Sequence, residues 1–185
     1  MRVISGQHKG AKLISPRGEV RPTTDMVKGS LFSMLQSKDL IAGAVCLDLF
    51  CGSGSLGIEA LSRGASSCVF VDADCKNVNA NLNKLNISAR VFQSDFRQAL
   101  RILRNEKFDL VFCDPPYKTD FAEQVYKLLV KYGMLGETGV AVLEHATDRP
   151  LSVVPEYNVI DRRVFGVSAF DIVRGKDESD ICGNV

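Results

Sequence analysis

Beyond residue 43 the chain alternates short, continuously apolar runs with stretches of helical spacing. Residues 44–49, 68–71, 90–93, 110–113 and 140–143 read as strands. Between them, residues 55–63, 75–85, 97–104 and 121–132 carry apolar side chains at helical intervals. Strands that are apolar at every position are buried on both faces, which happens when helices cover both sides of a parallel sheet. The pattern therefore predicts an α/β, doubly wound, Rossmann-like sheet with right-handed crossovers. After residue 155 two longer runs, 158–164 and 168–174, flank Phe165-Gly166. A close hairpin cannot join neighbouring parallel strands, so one of the two is expected to run antiparallel, at the sheet edge.

The first third of the chain is patterned differently. Residues 2–5 and 12–15 are short strand candidates around Gly6-Gln-His-Lys-Gly10, which suggests a basic hairpin. Arg21-Pro-Thr-Thr-Asp25 follows, where Thr23 or Thr24 can accept an orphan backbone N–H and cap a helix. Val27, Leu31 and Leu35, with Phe32 and Met34, carry that helix to about Lys38. Capping accounts for the threonines and leaves Arg21 without a role. No linker or internal repeat divides the chain. The expectation is one domain over 1–185, with a hairpin and helix extension at 1–38, a core at 44–174 and a frayed, flexible tail at 175–185.

At 185 residues and 45% hydrophobic, the chain has enough length for a substantial core. Its net charge of +1 does not announce a nucleic-acid partner. The distribution is more telling: residues 1–28 hold Arg2, Lys9, Lys12, Arg17, Arg21 and Lys28 against Glu19 and Asp25, a net of +4 that leaves −3 for the remainder. Such an asymmetry marks a basic arm, although exposed lysines on an edge hairpin need no function. Six scattered cysteines, with no C-x-x-C pair, argue against zinc or a disulfide framework and for buried thiols in a reducing cytosol. His8 and His145 have no partners at metal-ligand spacing. No run approaches the ~18 apolar residues of a membrane span, and the N-terminus lacks a signal-peptide core. A cytoplasmic protein without membrane or metal is expected.

Two strand ends carry the chemistry. Gly52-Ser-Gly54-Ser-Leu-Gly57 matches G-x-G-x-x-G with a strand before it and a helix after it, and Asp72 lies 20 residues past Gly52, where a carboxylate can bind ribose hydroxyls. The candidate cofactor residues here are Asp48, Phe50, Cys51, Gly52, Ser53, Gly54 and Asp72. The loop alone leaves the adenosine-bearing cofactor open. A nicotinamide dinucleotide would set its pyrophosphate on the helix N-terminus. S-adenosyl-L-methionine has no phosphate and carries an amino group and a sulfonium cation; Asp48, at the strand end, is well placed to meet that amino group directly or through water, so the loop leans toward this cofactor. At the end of the third strand, Asp95 can accept from an adenine amino group and Phe96 can pack on its ring; equally, they can be a helix cap and a core aromatic.

The second strand end, Asp114-Pro115-Pro116-Tyr117, decides between cofactors. Each proline keeps the residue before it out of helical geometry and brings no N–H, so the turn holds a fixed shape with carbonyls outward. A carboxylate and a carbonyl so held can each accept one N–H of a planar exocyclic amine. That amine is a poor nucleophile, and gripping both protons favours the tetrahedral form that attacks a methyl group. Tyr117 offers a face on which an extruded base can stack. A nicotinamide enzyme has no use for this tetrapeptide. Glu144 ends a strand beside the presumed site, where a merely solvated role is equally open.

At these residues the chain resembles the RsmD family, from Arg2 to about Gly175. The likeness rests on Arg21-Pro-Thr-Thr-Asp25, on the block from Asp48 to Ala65 and on Asp114-Pro-Pro-Tyr117. It implies a seven-stranded methyltransferase sheet, mostly parallel with an antiparallel C-terminal strand, and an N-terminal extension that helps hold RNA. It further implies transfer of a methyl group from S-adenosyl-L-methionine to the N2 amine of one guanine in 16S rRNA, within the small ribosomal subunit or its assembly intermediate. Asp114, Pro115, Pro116 and Tyr117 would then be the catalytic residues. Arg2, Lys9, Lys12, Arg17 and Arg21 would bind RNA. Lys28-Gly29 departs from the family's usual Arg-Glu, which puts the usual contacts at those two positions in question. Asp-Pro-Pro-Tyr is shared with adenine-N6 methyltransferases of DNA or RNA, the alternative reading. Enzymes acting on DNA usually need a sequence-reading region, for which the stretch after residue 118 is short.

Overall fold

The computed structural model describes residues 1–15, 25–116, 119–151 and 157–175. Helix α1 (Asp25–Ser37) precedes the alternation β1 (Val45–Leu49), α2 (Ser55–Ser62), β2 (Ser67–Asp72), α3 (Lys76–Lys84), β3 (Arg90–Gln93), α4 (Phe96–Ile102), β4 (Phe108–Cys113), α5 (Phe121–Lys131) and β5 (Leu135–Ala146). Strands β6 (Tyr157–Phe165) and β7 (Ser168–Gly175) close the described chain. They form one seven-stranded sheet in the order β3-β2-β1-β4-β5-β7-β6. Strands β1 to β5 pair in parallel, and β7 runs antiparallel to both β5 and β6.

The sheet separates two apolar cores, and strand alternation assigns side chains to them. Cys46, Leu110, Phe112, Val140 and Val142 face α1 and α2. Leu47, Leu49, Val111, Cys113, Ala141 and Leu143 face α4 and α5. Burial on both faces is what makes these runs continuously apolar. The order of connection reverses between β1 and β4, and ligands of open α/β sheets bind at such a switch point, beyond the carboxyl ends of the strands. Leu49 is paired with Cys113. The residues that follow them, the glycine loop and Asp114-Pro115-Pro116, are therefore neighbours in space.

Two expectations need correction. The antiparallel strand is not at the edge: β7 lies between β5 and β6, and β6 forms the edge. Phe165-Gly166, with Gly166 at φ 62°, makes the reversal. The turn does not decide which arm lies inside. Asp171 reflects the interior position, being fully buried with Arg162 of β6 on one side and His145 of β5 on the other. Likewise, residues 2–5 and 12–15 are not extended strands, yet they close the expected hairpin: Arg2 bridges Lys12 antiparallel, Val3 N–H donates to the Ala11 carbonyl, Gly10 N–H to the Val3 carbonyl and Leu13 N–H to the Met1 carbonyl. Contacts with α2 then fix this hairpin against the core. Of the expected tail at 175–185, Gly175 ends β7 and residues 176–185 lie outside the described residues, as does the threonine cap.

Candidate active site

The glycine loop is shaped by left-handed backbone and by steric limits on its far side. Phe50, Gly52 and Gly54 have φ of 58°, 52° and 75°. A Cβ on Gly54 would stand 2.7 Å from Val78 Cγ2 of α3, and one on Gly57 would stand 2.4 Å from Phe70 Cε1 of β2, so the two glycines let the turn press against α3 and α2 against the sheet. Gly52 is different: no atom lies within 4 Å of the position its Cβ would take. The open side of the loop is there. Asp72 Oδ2 accepts the Gly52 N–H at 2.7 Å, and Oδ1 accepts the Asp74 N–H at 3.0 Å. An ionised carboxylate has about four acceptor positions, so Asp72 keeps capacity for the two hydroxyls of a ribose. Cys51 is a buried thiol whose pKa burial pushes up.

Asp48 points to the α2 side of β1, where its Oδ2 accepts the Gly57 N–H at 2.9 Å. It is almost fully buried, and burial pushes its pKa up to about 7, with the Gly57 bond opposing and the charges of Asp114 and Asp72 adding. Ser53 is buried too, and its carbonyl accepts from Asn81 Nδ2 at 2.9 Å. Asn81 also holds the Ile14 backbone, accepting its N–H at 2.8 Å and donating to its carbonyl at 2.9 Å. Asn81 was not among the residues expected at the site. A polar residue on the inward face of an otherwise apolar helical stripe was the signal available.

Asp95 and Phe96 take the structural positions open to them. Asp95 caps α4, accepting the Arg97 N–H at 2.8 Å. Phe96 is buried among rings, with centroids 5.1 Å from Phe50 and 5.2 Å from Phe121. The Arg97 guanidinium lies over Phe96 and Phe121. Half-buried Phe50 joins this cluster to the glycine loop.

At the end of β4, Asp114 and Pro115 are half-buried and Pro116 is exposed. Thr119 Oγ1 donates to the Pro116 carbonyl at 2.8 Å and draws the chain back toward α5. Tyr117 lies outside the described residues. Pro115 and Pro116 line a cleft with Thr119, Glu144, His145 and Arg149. Glu144 is buried rather than solvated, at 8% exposure. Behind it, His145 Nε2 lies 3.2 Å from Asp171 Oδ2, and that contact raises the histidine's pKa. Burial pushes Asp171 up, but the bonds from His145 and Arg162 outweigh it and hold the carboxyl below its usual range.

The N-terminal segment is bolted to α2. Glu59 accepts the Ile4 N–H at 2.8 Å and the Ser5 N–H at 3.0 Å. Ser62 accepts at its carbonyl from the Gln7 N–H and donates its hydroxyl to the Ser5 carbonyl. Gly6 is required at this contact, since a Cβ would lie 1.7 Å from the Ser62 carbonyl oxygen. Lys28 is buried beneath: Nζ donates to the Arg2 carbonyl at 2.7 Å and to Ser55 Oγ at 3.2 Å. Of the arm's cations, Lys9 and Lys12 are exposed. Arg2 is exposed but pairs with Asp25 at 3.1 Å. Arg17 and Arg21 lie outside the described residues.

A mixed seven-stranded sheet with this strand order, and a glycine loop and an Asp-Pro-Pro turn on adjacent strand ends, defines the Rossmann-like methyltransferase class. Within it, the family model described as "Conserved hypothetical protein 95" matches residues 1–174. The chain belongs to that family, the RsmD family. It is 45% identical over 153 residues to the Bacillus subtilis protein YlbH, provisionally named an rRNA methyltransferase, covering 78% of this chain and 82% of that protein. It is 34% identical to ribosomal RNA small subunit methyltransferase D of Escherichia coli K12, covering 97% of this chain and 93% of that protein. The solved structure of Escherichia coli YhhF, provisionally named a methyltransferase, superposes with a TM-score of 0.83 at 34% identity, covering 95% of this chain and 98% of that one.

Proposed function

We propose that the protein transfers the methyl group of S-adenosylmethionine to the exocyclic N2 amine of a guanine in 16S rRNA. The observation that carries this reading is the pairing of Leu49 with Cys113. It sets a cofactor-shaped loop and an amine-gripping turn side by side at the switch point of the sheet. The names of the relatives support rRNA as the substrate, and the family resemblance supports the guanine amine.

When bound, S-adenosylmethionine supplies an electrophilic methyl carbon on a sulfonium. The chain's own residues hold and orient. Gly52 leaves open space beside the loop, Asp72 would take the ribose hydroxyls, and Asp48 would offset the cationic amino group. Asp114 and the Pro115 carbonyl accept the two N2 protons, so the nitrogen lone pair points at the methyl carbon. Positive charge that grows on the amine nitrogen as it is methylated would be offset by the Asp114 carboxylate beside it. The extra proton then leaves to that carboxylate or to water. Tyr117 stacks on the guanine and the exposed lysines of the N-terminal segment hold the RNA backbone.

The test is mass mapping of modified nucleosides in 16S rRNA incubated with the protein and labelled S-adenosylmethionine. One N2-methylguanine is expected. Label in N6-methyladenine, or none in RNA, would reject the reading.

A further inference from the structure

Asp114 and Pro115 account for the two protons of an exocyclic amine, but guanine and adenine both present such an amine. What separates them is the neighbouring ring nitrogen. Guanine N1 carries a hydrogen and donates; the adenine ring nitrogen beside its amine is bare and accepts. A site that distinguishes them therefore needs an acceptor next to the amine grip.

The sheet supplies one. Strands β4 and β5 run parallel with Cys113 opposite Leu143, so the next residues along, Asp114 and Glu144, emerge side by side at neighbouring strand ends. Adjacent strands lie about 4.8 Å apart, a spacing that lets two carboxylates serve two N–H groups on one base edge. Glu144 lines the same cleft as Pro115 and Pro116. It is a buried acid at 8% exposure, in a strand whose preceding residues Val140 to Leu143 are all apolar. Its charge reaches the β4 end, where with that of Asp114 it adds to the burial that raises the Cys113 thiol. From the neighbouring His145 on, His145 and the buried Asp171, with the exposed Arg162 beyond it, form their own chain of contacts. That chain fixes the C-terminal end of β5 from behind.

We infer that Glu144 is the specificity residue that accepts the N1–H of the target guanine and excludes adenine by facing its bare ring nitrogen with a carboxylate. The inference rests on the guanine-N2 reading of this site and deepens it. A buried acceptor that loses its donor, and meets a lone pair instead, is the arrangement that rejects near-isosteres most strongly.

The experiment uses RNA in which the mapped target is either guanine or 2-aminopurine, which keeps the 2-amine but has no hydrogen on N1. For wild-type protein, kcat/KM on guanine should exceed that on 2-aminopurine by about a hundredfold or more. In Glu144→Gln, the amide N–H can donate to the bare nitrogen, so the ratio should collapse by at least about tenfold while the affinity for S-adenosylmethionine is kept. Glu144→Ala, which removes the repulsion without adding a donor, should also narrow the ratio and serves if the glutamine variant folds poorly. Normal guanine methylation with an unchanged ratio in both variants overturns the role of Glu144 alone. A wild-type protein that leaves guanine unmethylated overturns the reaction and this inference with it.

Discussion

Lys28 Nζ lies 3.2 Å from Glu59 Oε2, and both side chains are fully buried. The pair joins helix α1 to the helix that the glycine loop opens. Glu59 also takes Arg63 Nε at 2.8 Å and the backbone N–H groups of Ile4 and Ser5. A single carboxylate therefore holds the N-terminal segment, α1 and α2 together. Burial pulls the Lys28 pKa down, while Glu59 holds it up.

Glu59→Gln removes the counter-charge and leaves a buried ammonium. Unfolding by urea should show a loss of about 3–5 kcal/mol near neutral pH, the cost of breaking a buried pair from one side. The sign with pH follows from the lowered lysine. Its folded pKa lies below the unfolded value of 10.5, so the unfolded chain binds more protons and the penalty shrinks as pH rises toward that value. A loss that is the same at pH 7 and pH 10 would show that Lys28 is not the source.

This pair also marks where sequence reading stops. The parallel strands were legible because each is apolar at every position, and the cofactor loop because glycines must stand where the backbone turns left-handed or packs tightly. Lys28 and Glu59 are 31 positions apart, and a charge pattern gives no sign that two such residues meet in a core. The same is true of Asn81 and of Asp171. The hairpin after residue 155 revealed its reversal through Phe165-Gly166, but not that β7 inserts beside β5, because either arm could have paired there. Residues 2–5 and 12–15 had the composition of strands. They pair only through Val3, Gly10 and Leu13, while the backbone of Ile4, Ser5 and Ile14 bonds to Glu59, Ser62 and Asn81.

Asp72 binds the loop and, in the proposed site, the cofactor ribose. Asp72→Ala removes charged hydrogen bonds worth about 1.5–3 kcal/mol each and frees the Gly52 N–H. Affinity for S-adenosylmethionine by calorimetry should fall at least about tenfold. An unchanged dissociation constant would remove Asp72 from the site.

Asp48 should make cofactor binding pH-dependent in the proposed site. Its pKa stands raised to about 7 against an ordinary 3.8, mainly by burial. The folded protein therefore holds a proton the unfolded chain has lost. That contribution to stability is complete below about pH 3.8 and is lost as pH rises through 7, with a slope of at most about 1.4 kcal/mol per pH unit in between. A cationic cofactor favours the ionised form. S-adenosylmethionine affinity should rise between pH 6 and 8, and Asp48→Asn should flatten that rise. A variant with the wild-type pH profile would exclude Asp48 as the titrating group.

The N-terminal segment should bind RNA through charge. Arg2 is engaged with Asp25, so Lys9 and Lys12 are the first residues to test. Replacing both with alanine should weaken RNA binding and lower the salt slope by roughly 0.7–0.9 per lost phosphate contact. S-adenosylmethionine binding should be unaffected. An unaltered salt slope would make the segment a structural brace for α2 and nothing more.

Asp114 separates amine methylation from every other use of this fold. In the proposed reaction its carboxylate aligns the N2 lone pair and offsets the positive charge that grows on nitrogen as the methyl group arrives. Asp114→Ala leaves that charge without an oriented partner, so the chemical step should slow by about 10²–10³. Asp114→Asn keeps an acceptor but not the charge and should retain more activity than alanine. Cofactor affinity should change little in either, because the residue faces the base. Single-turnover methyl transfer at saturating RNA and cofactor isolates this step from binding. A wild-type rate in Asp114→Ala would move the chemistry away from the end of β4.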